Sequence, residues 1–172
     1  MNEAYEYTID KKSEGVYRFL RLLMLLLYVA FIGGFFGVVY YIRIIPVFAL
    51  APIFLWILIY FTWRYVKIEY KYSVDAGYLS LMVIYGGKTK KTKATFHIKD
   101  ATAFLPLSEA EEALKDFKPK KTYNFLSSHK NPSDAYAFMI NSKGKRTLAL
   151  IEAPKPSVKA ILYYADASLK NK

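Results

Sequence analysis

A membrane α-hairpin followed by a mainly-β domain, with one short helix inserted and another closing the chain, is the architecture this sequence predicts. Three observations carry it. Residues 19–63 contain no Asp, Glu, Lys or His, and only Arg21 and Arg43 interrupt their apolar character. About 20 such residues cross a ~30 Å hydrocarbon core at 1.5 Å per residue, so the run is long enough to cross twice. From Lys67 the pattern changes to strict alternation, the period of a half-buried strand. Near the end, Val158, Ile161, Leu162, Ala165 and Leu169 recur at helical spacing.

The chain divides into an N-terminal segment over 1–18, a helical hairpin over 19–65 and a soluble domain over 66–172. Glu3, Glu6, Asp10 and Glu14 make residues 1–18 unlike the basic start of a secretory signal. The first span covers about Phe19 to Ile42 and the second about Ile44 to Trp63. The turn then lies near Tyr41, Ile42, Arg43, Ile44 and Ile45, with Pro46 suited to the first turn of the second helix. Tyr40 and Tyr41 at one end, and Tyr60, Trp63 and Tyr65 at the other, are amphipathic rings of the kind found at headgroup level. Lys11, Lys12, Arg18 and Arg21 precede the first span and Arg64, Lys67 and Lys71 follow the second, against Arg43 alone between them. That asymmetry predicts a multi-pass protein of the cell membrane with both termini in the cytoplasm. Gly33 and Gly37 have the small-x-x-x-small spacing that lets helices approach, so span one is expected to pack on span two there, with a homodimer seam as the other use. Arg43 reads as an interfacial anchor.

In the soluble part, Ile68, Tyr70, Tyr72 and Val74 alternate with polar residues. Asp75-Ala76-Gly77 then makes a hairpin turn into a second strand, Tyr78 to Tyr85. After Gly86 and Gly87 come a third strand from Thr92 to Ile98 and a fourth from Thr102 to Leu105, stopped by Pro106. Ser108 and Glu111 have capping-box spacing for a short helix ending at Phe117. Three more strands fit Thr122 to Leu126, Ala135 to Ile140 and Arg146 to Glu152, the last pair joined through Asn141 to Lys145, Lys143 included. A helix begins near Pro156.

Four strands, then three, then a C-terminal helix is the element order of the pleckstrin-homology superfold, a bent antiparallel barrel plugged by that helix. Tyr70-Lys71-Tyr72-Ser73-Val74-Asp75-Ala76-Gly77-Tyr78-Leu79, Phe104-Leu105-Pro106-Leu107 and Ile151-Glu152-Ala153-Pro154 carry a more specific likeness. Through them the chain resembles a family of small two-span membrane proteins of Gram-positive bacteria, similar in layout to bacterial membrane-anchored PH-like proteins. The resemblance covers nearly the whole chain and implies a fold and a membrane layout. It carries over no functional residue.

Charge points to partners. The protein has 25 Lys and Arg against 14 Asp and Glu. Residues 67–172 hold 19 of the basic and 10 of the acidic groups, so the soluble part carries nearly all the excess. The absence of cysteine excludes disulfides and thiolate zinc sites. Lys88, Lys90, Lys91 and Lys93 form the densest cluster, on the turn between the first two soluble strands and the third. Two eight-residue strands out and back return that turn to the membrane, so these lysines, with Arg64 and Lys67, are expected to contact anionic headgroups of membrane lipids. The plainer reading is a solvated turn. Lys115, Lys118, Lys120 and Lys121 lie near Tyr123 and Phe125, but the two rings share a strand face and suit a core better than nucleic-acid stacking. His97 and His129 are too isolated for a metal, and Glu109, Glu111, Glu112 and Asp116 suit the N-terminal part of a helix. Gly86-Gly87-Lys88-Thr89 lacks the leading glycine and following helix of a phosphate loop. No catalytic residue, metal or cofactor is expected. The reading is a non-enzymatic, membrane-tethered binding or scaffold module that docks on lipid headgroups or an unidentified protein partner, partly through Lys155, Lys159 and Asp166 of the final helix. The alternative is a small accessory or regulatory subunit of a membrane transporter or envelope complex.

Overall fold

The computed structural model describes residues 5–43, 45–128, 132–142 and 144–165. Ile44, His129, Lys143, Asp166 and Leu169 lie outside the described residues. The described chain runs β1 (Tyr5–Asp10), α1 (Val16–Ile42), a 3-10 turn (Ile45–Leu50), α2 (Ala51–Val66), β2 (Ile68–Asp75), β3 (Tyr78–Tyr85) and β4 (Thr89–His97). It continues through β5 (Ala101–Pro106), α3 (Ala110–Phe117), β6 (Lys121–Asn124), β7 (Ala135–Ser142), β8 (Lys145–Glu152) and α4 (Lys155–Tyr164).

Two helical segments, Val16–Ile42 and Pro46–Val66, are long and apolar enough to cross a membrane. Arg43 in the left-handed region ends α1, and Pro46 sits in the 3-10 turn ahead of α2. The helices meet through Phe35 and Phe54, Phe36 and Phe48, and a hydrogen bond from Tyr28 Oη to Thr62 Oγ1 at 2.5 Å. Thr62 in turn donates to Leu58 O at 2.7 Å, so both hydroxyls are satisfied inside the apolar segment. The expectation for the glycines fails here. A Cβ built on Gly33 or Gly37 meets nothing within 4 Å, so both face away from α2. The seam uses Met24, Tyr28, Phe31, Phe35 and Val39 instead, because these half-buried or buried positions fall on one helical stripe and the glycines fall opposite it.

The first sheet has the order β1-β2-β3-β4, all antiparallel. Its first strand comes from the N-terminal segment, so those residues are built into the domain rather than standing apart from it. Tyr5, Tyr7 and Ile9 alternate with Glu6, Thr8 and Asp10, and Ile9 is buried. β1 and β2 are neighbours whose connection is the whole helical hairpin. Lys11 N–H donates to Ile68 O at 3.0 Å, carrying the ladder down to the bases of both helices.

The second sheet has the order β5-β7-β8-β6. The fourth predicted soluble strand, β5, therefore leaves the first sheet and pairs with β7, and β1 fills the first sheet to four. β6 runs parallel to β8, which an all-antiparallel barrel does not allow. The chain passes from β6 to β8 through β7, and α3 carries it from β5 at one edge of this sheet to β6 at the other. The sheets are not closed into a barrel. The predicted capping box is also absent: α3 begins at Ala110 after backbone turns from Glu109 N to Pro106 O and Ala110 N to Leu107 O, and no side chain caps it.

The main core lies between the sheets. Tyr70, Tyr72, Leu79, Leu81 and Val83 meet Phe104, Phe138, Ile140, Ala149 and Ile151, and α4 adds Ile161 from beside β1 and β2. A smaller core of Ala137, Met139 and Leu148 lies on the other face of the second sheet, under Ala110, Ala113 and Leu114 of α3.

Candidate functional site

The junction between hairpin and sheet holds Arg64, Lys67 and Lys88 of the six predicted cationic residues. α2 runs straight into β2, with Lys67 already extended and its N–H bonded to Trp63 O at 3.1 Å. The register Ile68 opposite Tyr85 brings the β3–β4 turn back to the same point, where Gly86 N–H donates to Lys67 O at 2.8 Å. Gly86 has φ +61°, and a Cβ there would stand 3.0 Å from Arg64 Cα. Only glycine fits this close approach in this conformation. Lys88 Nζ lies 5.3 Å from the centre of the Tyr60 ring, one helical turn below Arg64.

The six predicted cations do not form one patch. Arg64 and Lys88 share a cavity of about 530 Å³ with Trp56, Tyr60, Trp63 and Tyr85. Lys67 faces the opposite flank of α2, paired to Glu69 at 2.8 Å, and this hydrogen bond raises its pKa. Lys90, Lys91 and Lys93 lie within β4 rather than on the turn and are exposed. β4 is the outer strand of its sheet, where lysines also discourage edge-to-edge pairing with another chain. Lys93 occupies the irregularity where Leu81 faces Ala94 and Met82 faces Thr92, and it lines a cleft of about 280 Å³ with Tyr17 and Tyr123. At about 3.3 Å per residue, all three lysines stand within roughly 12 Å of the level of the α2 terminus.

The second basic group is set differently. Lys121 Nζ covers the Tyr123 ring at 4.7 Å, Tyr123 meets Phe96 edge-on, and Phe125 is buried against Tyr70. These rings belong to the core. His97 packs edge-on against Tyr78 at 4.9 Å, and among the described residues no three His, Cys, Asp or Glu side chains gather as a metal site would require. Tyr72 donates its hydroxyl to Phe125 O, and burial pushes its pKa well above that of an ordinary phenol. It ties the sheets together as a structural group.

Two features of the junction lie beyond the predicted site residues. Lys12 N–H donates to Ser127 O at 2.8 Å and Ser128 Oγ donates to Glu14 Oε2 at 2.6 Å, so the segment leading into α1 is also bound to the stretch that follows β6. The other is a larger cavity, about 820 Å³, between that segment and the two helices. Nothing local in the sequence signals either feature, since each brings together segments far apart in the chain.

No curated protein and no solved structure matches the chain. A family model does, across residues 1–171: the bacterial PH-like domain (DUF6106). With helices and sheets both inside that match, the chain belongs to the bacterial PH-like domain family.

Proposed function

We propose that this protein is a non-enzymatic binding or scaffold module, tethered by its hairpin to the cytoplasmic face of the cell membrane with the lysine-rich side of its first sheet against anionic headgroups. The observation that carries this reading is the clamp of the β3–β4 turn on α2, with Gly86 against Arg64 and Lys88 over Tyr60. Because β1 and β2 pair, the segments before and after the hairpin lie on one side of any bilayer the hairpin crosses. The basic flanks make that side cytoplasmic. Arg64, Lys67, Lys88, Lys90, Lys91 and Lys93 then lie near an anionic leaflet, where each contributes about 1 kcal/mol of attraction within a Debye length.

The chain has no cysteine, so single labelling sites are simple to introduce. A spin label at Lys91→Cys in the full chain, reconstituted in phosphatidylcholine vesicles with phosphatidylglycerol, should relax faster with a headgroup-bound nickel chelate than one at Asp75→Cys. Asp75 is at the far end of β2. Equal relaxation at the two sites would remove the surface orientation. An unchanged Lys91 signal when phosphatidylglycerol is omitted would remove the anionic preference.

A second reading, an accessory or regulatory subunit of a membrane complex, draws on the outward face of Gly33 and Gly37. Replacing the hairpin with an unrelated two-helix anchor separates the readings, because cellular function survives only if the hairpin is merely a tether.

A further inference from the structure

The cavity between the N-terminal segment and the helices has the polarity of a phospholipid. Its lower wall is apolar, built from Met24, Leu25, Tyr28, Ile59 and Val66, and its upper rim carries Arg21 and Lys12 beside Asp10, while Lys67 is paired to Glu69 and the Lys11 ammonium lies over the Tyr17 ring. The Tyr28–Thr62 hydrogen bond fixes the heights of the two helices. Arg21 is seven residues above Tyr28, roughly 10 Å on a helix, and seven residues above Thr62 lies just past Lys67. Arg21 and Lys67 are therefore level, on the headgroup side of the apolar wall. Ser13 also borders this space.

We infer that this cleft holds one anionic phospholipid, its phosphate between Arg21 and Lys12, and an acyl chain along Met24, Leu25 and Ile59. The site rests on the membrane reading given above but not on the lysines of β4, which belong to another face. Its occupant is a lipid rather than free phosphate because most of the wall is hydrocarbon at the depth of the bilayer.

Trp63 borders the cleft, and Trp56 is the only other tryptophan. The full chain carrying Trp56→Phe is reconstituted in phosphatidylcholine vesicles and titrated with brominated phosphatidylglycerol, or with brominated phosphatidylcholine for comparison. Trp63 fluorescence should be quenched saturably by the anionic lipid, at a mole fraction about five-fold or more below that needed for the neutral one. Arg21→Gln should merge the two curves, and Arg21→Lys should keep them apart. Leu25→Phe, which narrows the cleft without changing charge, should reduce the depth of quenching by the anionic lipid; it keeps the test decisive if Arg21→Gln does not fold. Coincident curves in the parent overturn the site, as does a preference that survives both Arg21→Gln and Leu25→Phe. A preference abolished by Lys88→Gln alone moves the lipid to the other flank of α2 and also overturns it. Combined Lys90→Gln, Lys91→Gln and Lys93→Gln should leave the quenching unchanged, so failure of the surface orientation and failure of the cleft remain distinguishable.

Discussion

The two sheets are of equal strand number and are buried differently. The first has one face on the core; its other face carries Glu6, Lys71 and Ser80, and its first two strands adjoin the two long apolar helices. The second is covered on both faces, by the first sheet and by α3. The difference shows in their sequences. β2 alternates apolar and polar residues, whereas Ala135 to Ile140 of β7 is a nearly continuous apolar run with five of its six residues buried. One-sided burial writes a period of two into a strand, and two-sided burial erases it.

The sharpest test of that contrast uses two methionines on the outer faces. Met139 is 2% exposed beneath α3, while Met82 is half-buried beside solvent. Met139→Ala should destabilise the protein by about 2–5 kcal/mol and Met82→Ala by under about 1 kcal/mol, measured by denaturant unfolding of the full chain in detergent. Equal costs would mean that α3 does not seal the second sheet. Next in size, Tyr72→Phe removes the donor to Phe125 O, a bond that joins the sheets, and should cost about 1–3 kcal/mol by the same measurement. A loss no larger than that of an exposed Tyr163→Phe control would show that the sheets do not depend on it.

Gly86→Ala tests the coupling of the first sheet to α2. The left-handed backbone alone should cost about 1–2 kcal/mol, and the 3.0 Å approach to Arg64 adds to it. Faster hydrogen exchange at Gly87 and Lys88, with β7 and β8 unchanged, is the expected signature. The smallest effect concerns Glu6, whose pKa is lowered first by its hydrogen bond to Lys71 at 2.5 Å. A depressed carboxylate stabilises the fold above its unfolded pKa, and that contribution is lost as pH falls through the lower folded value. Glu6 is largely exposed, so Glu6→Gln should change stability by less than about 1 kcal/mol at neutral pH and flatten its decline in acid. An unaltered acid limb would show that the pair contributes nothing.

Much of the first sheet was legible because its signals are local. Tyr70, Tyr72 and Val74 facing one way, and Asp75-Ala76-Gly77 turning the chain, specify β2 and β3 without reference to distant residues. β1 carries the same alternation over Tyr5 to Ile9, but six residues ahead of a membrane span do not identify a sheet partner sixty residues away. Ser108 and Glu111 have the spacing of a cap; the backbone turns at Glu109 and Ala110 start the helix later and leave that spacing unused. The site was legible in part for similar reasons. Counting residues along β2 and β3 returns Lys88 to the end of α2, but it does not distribute Arg64 and Lys67 to opposite flanks of that helix. Nor does it bring Ser13 and Arg21 around one cleft.

By itself the sequence determined the two apolar spans, the basic balance of the soluble part, most strand positions and the closing helix. Hydropathy, charge and side-chain periodicity are sums over neighbouring residues, so they survive without a fold. Only the tertiary structure decided that β1 completes the first sheet, that β5 and β6 join the second, and that Gly33 and Gly37 face away from α2. Those outcomes depend on which surfaces compete for the same partner, and packing settles that competition between segments far apart in the chain.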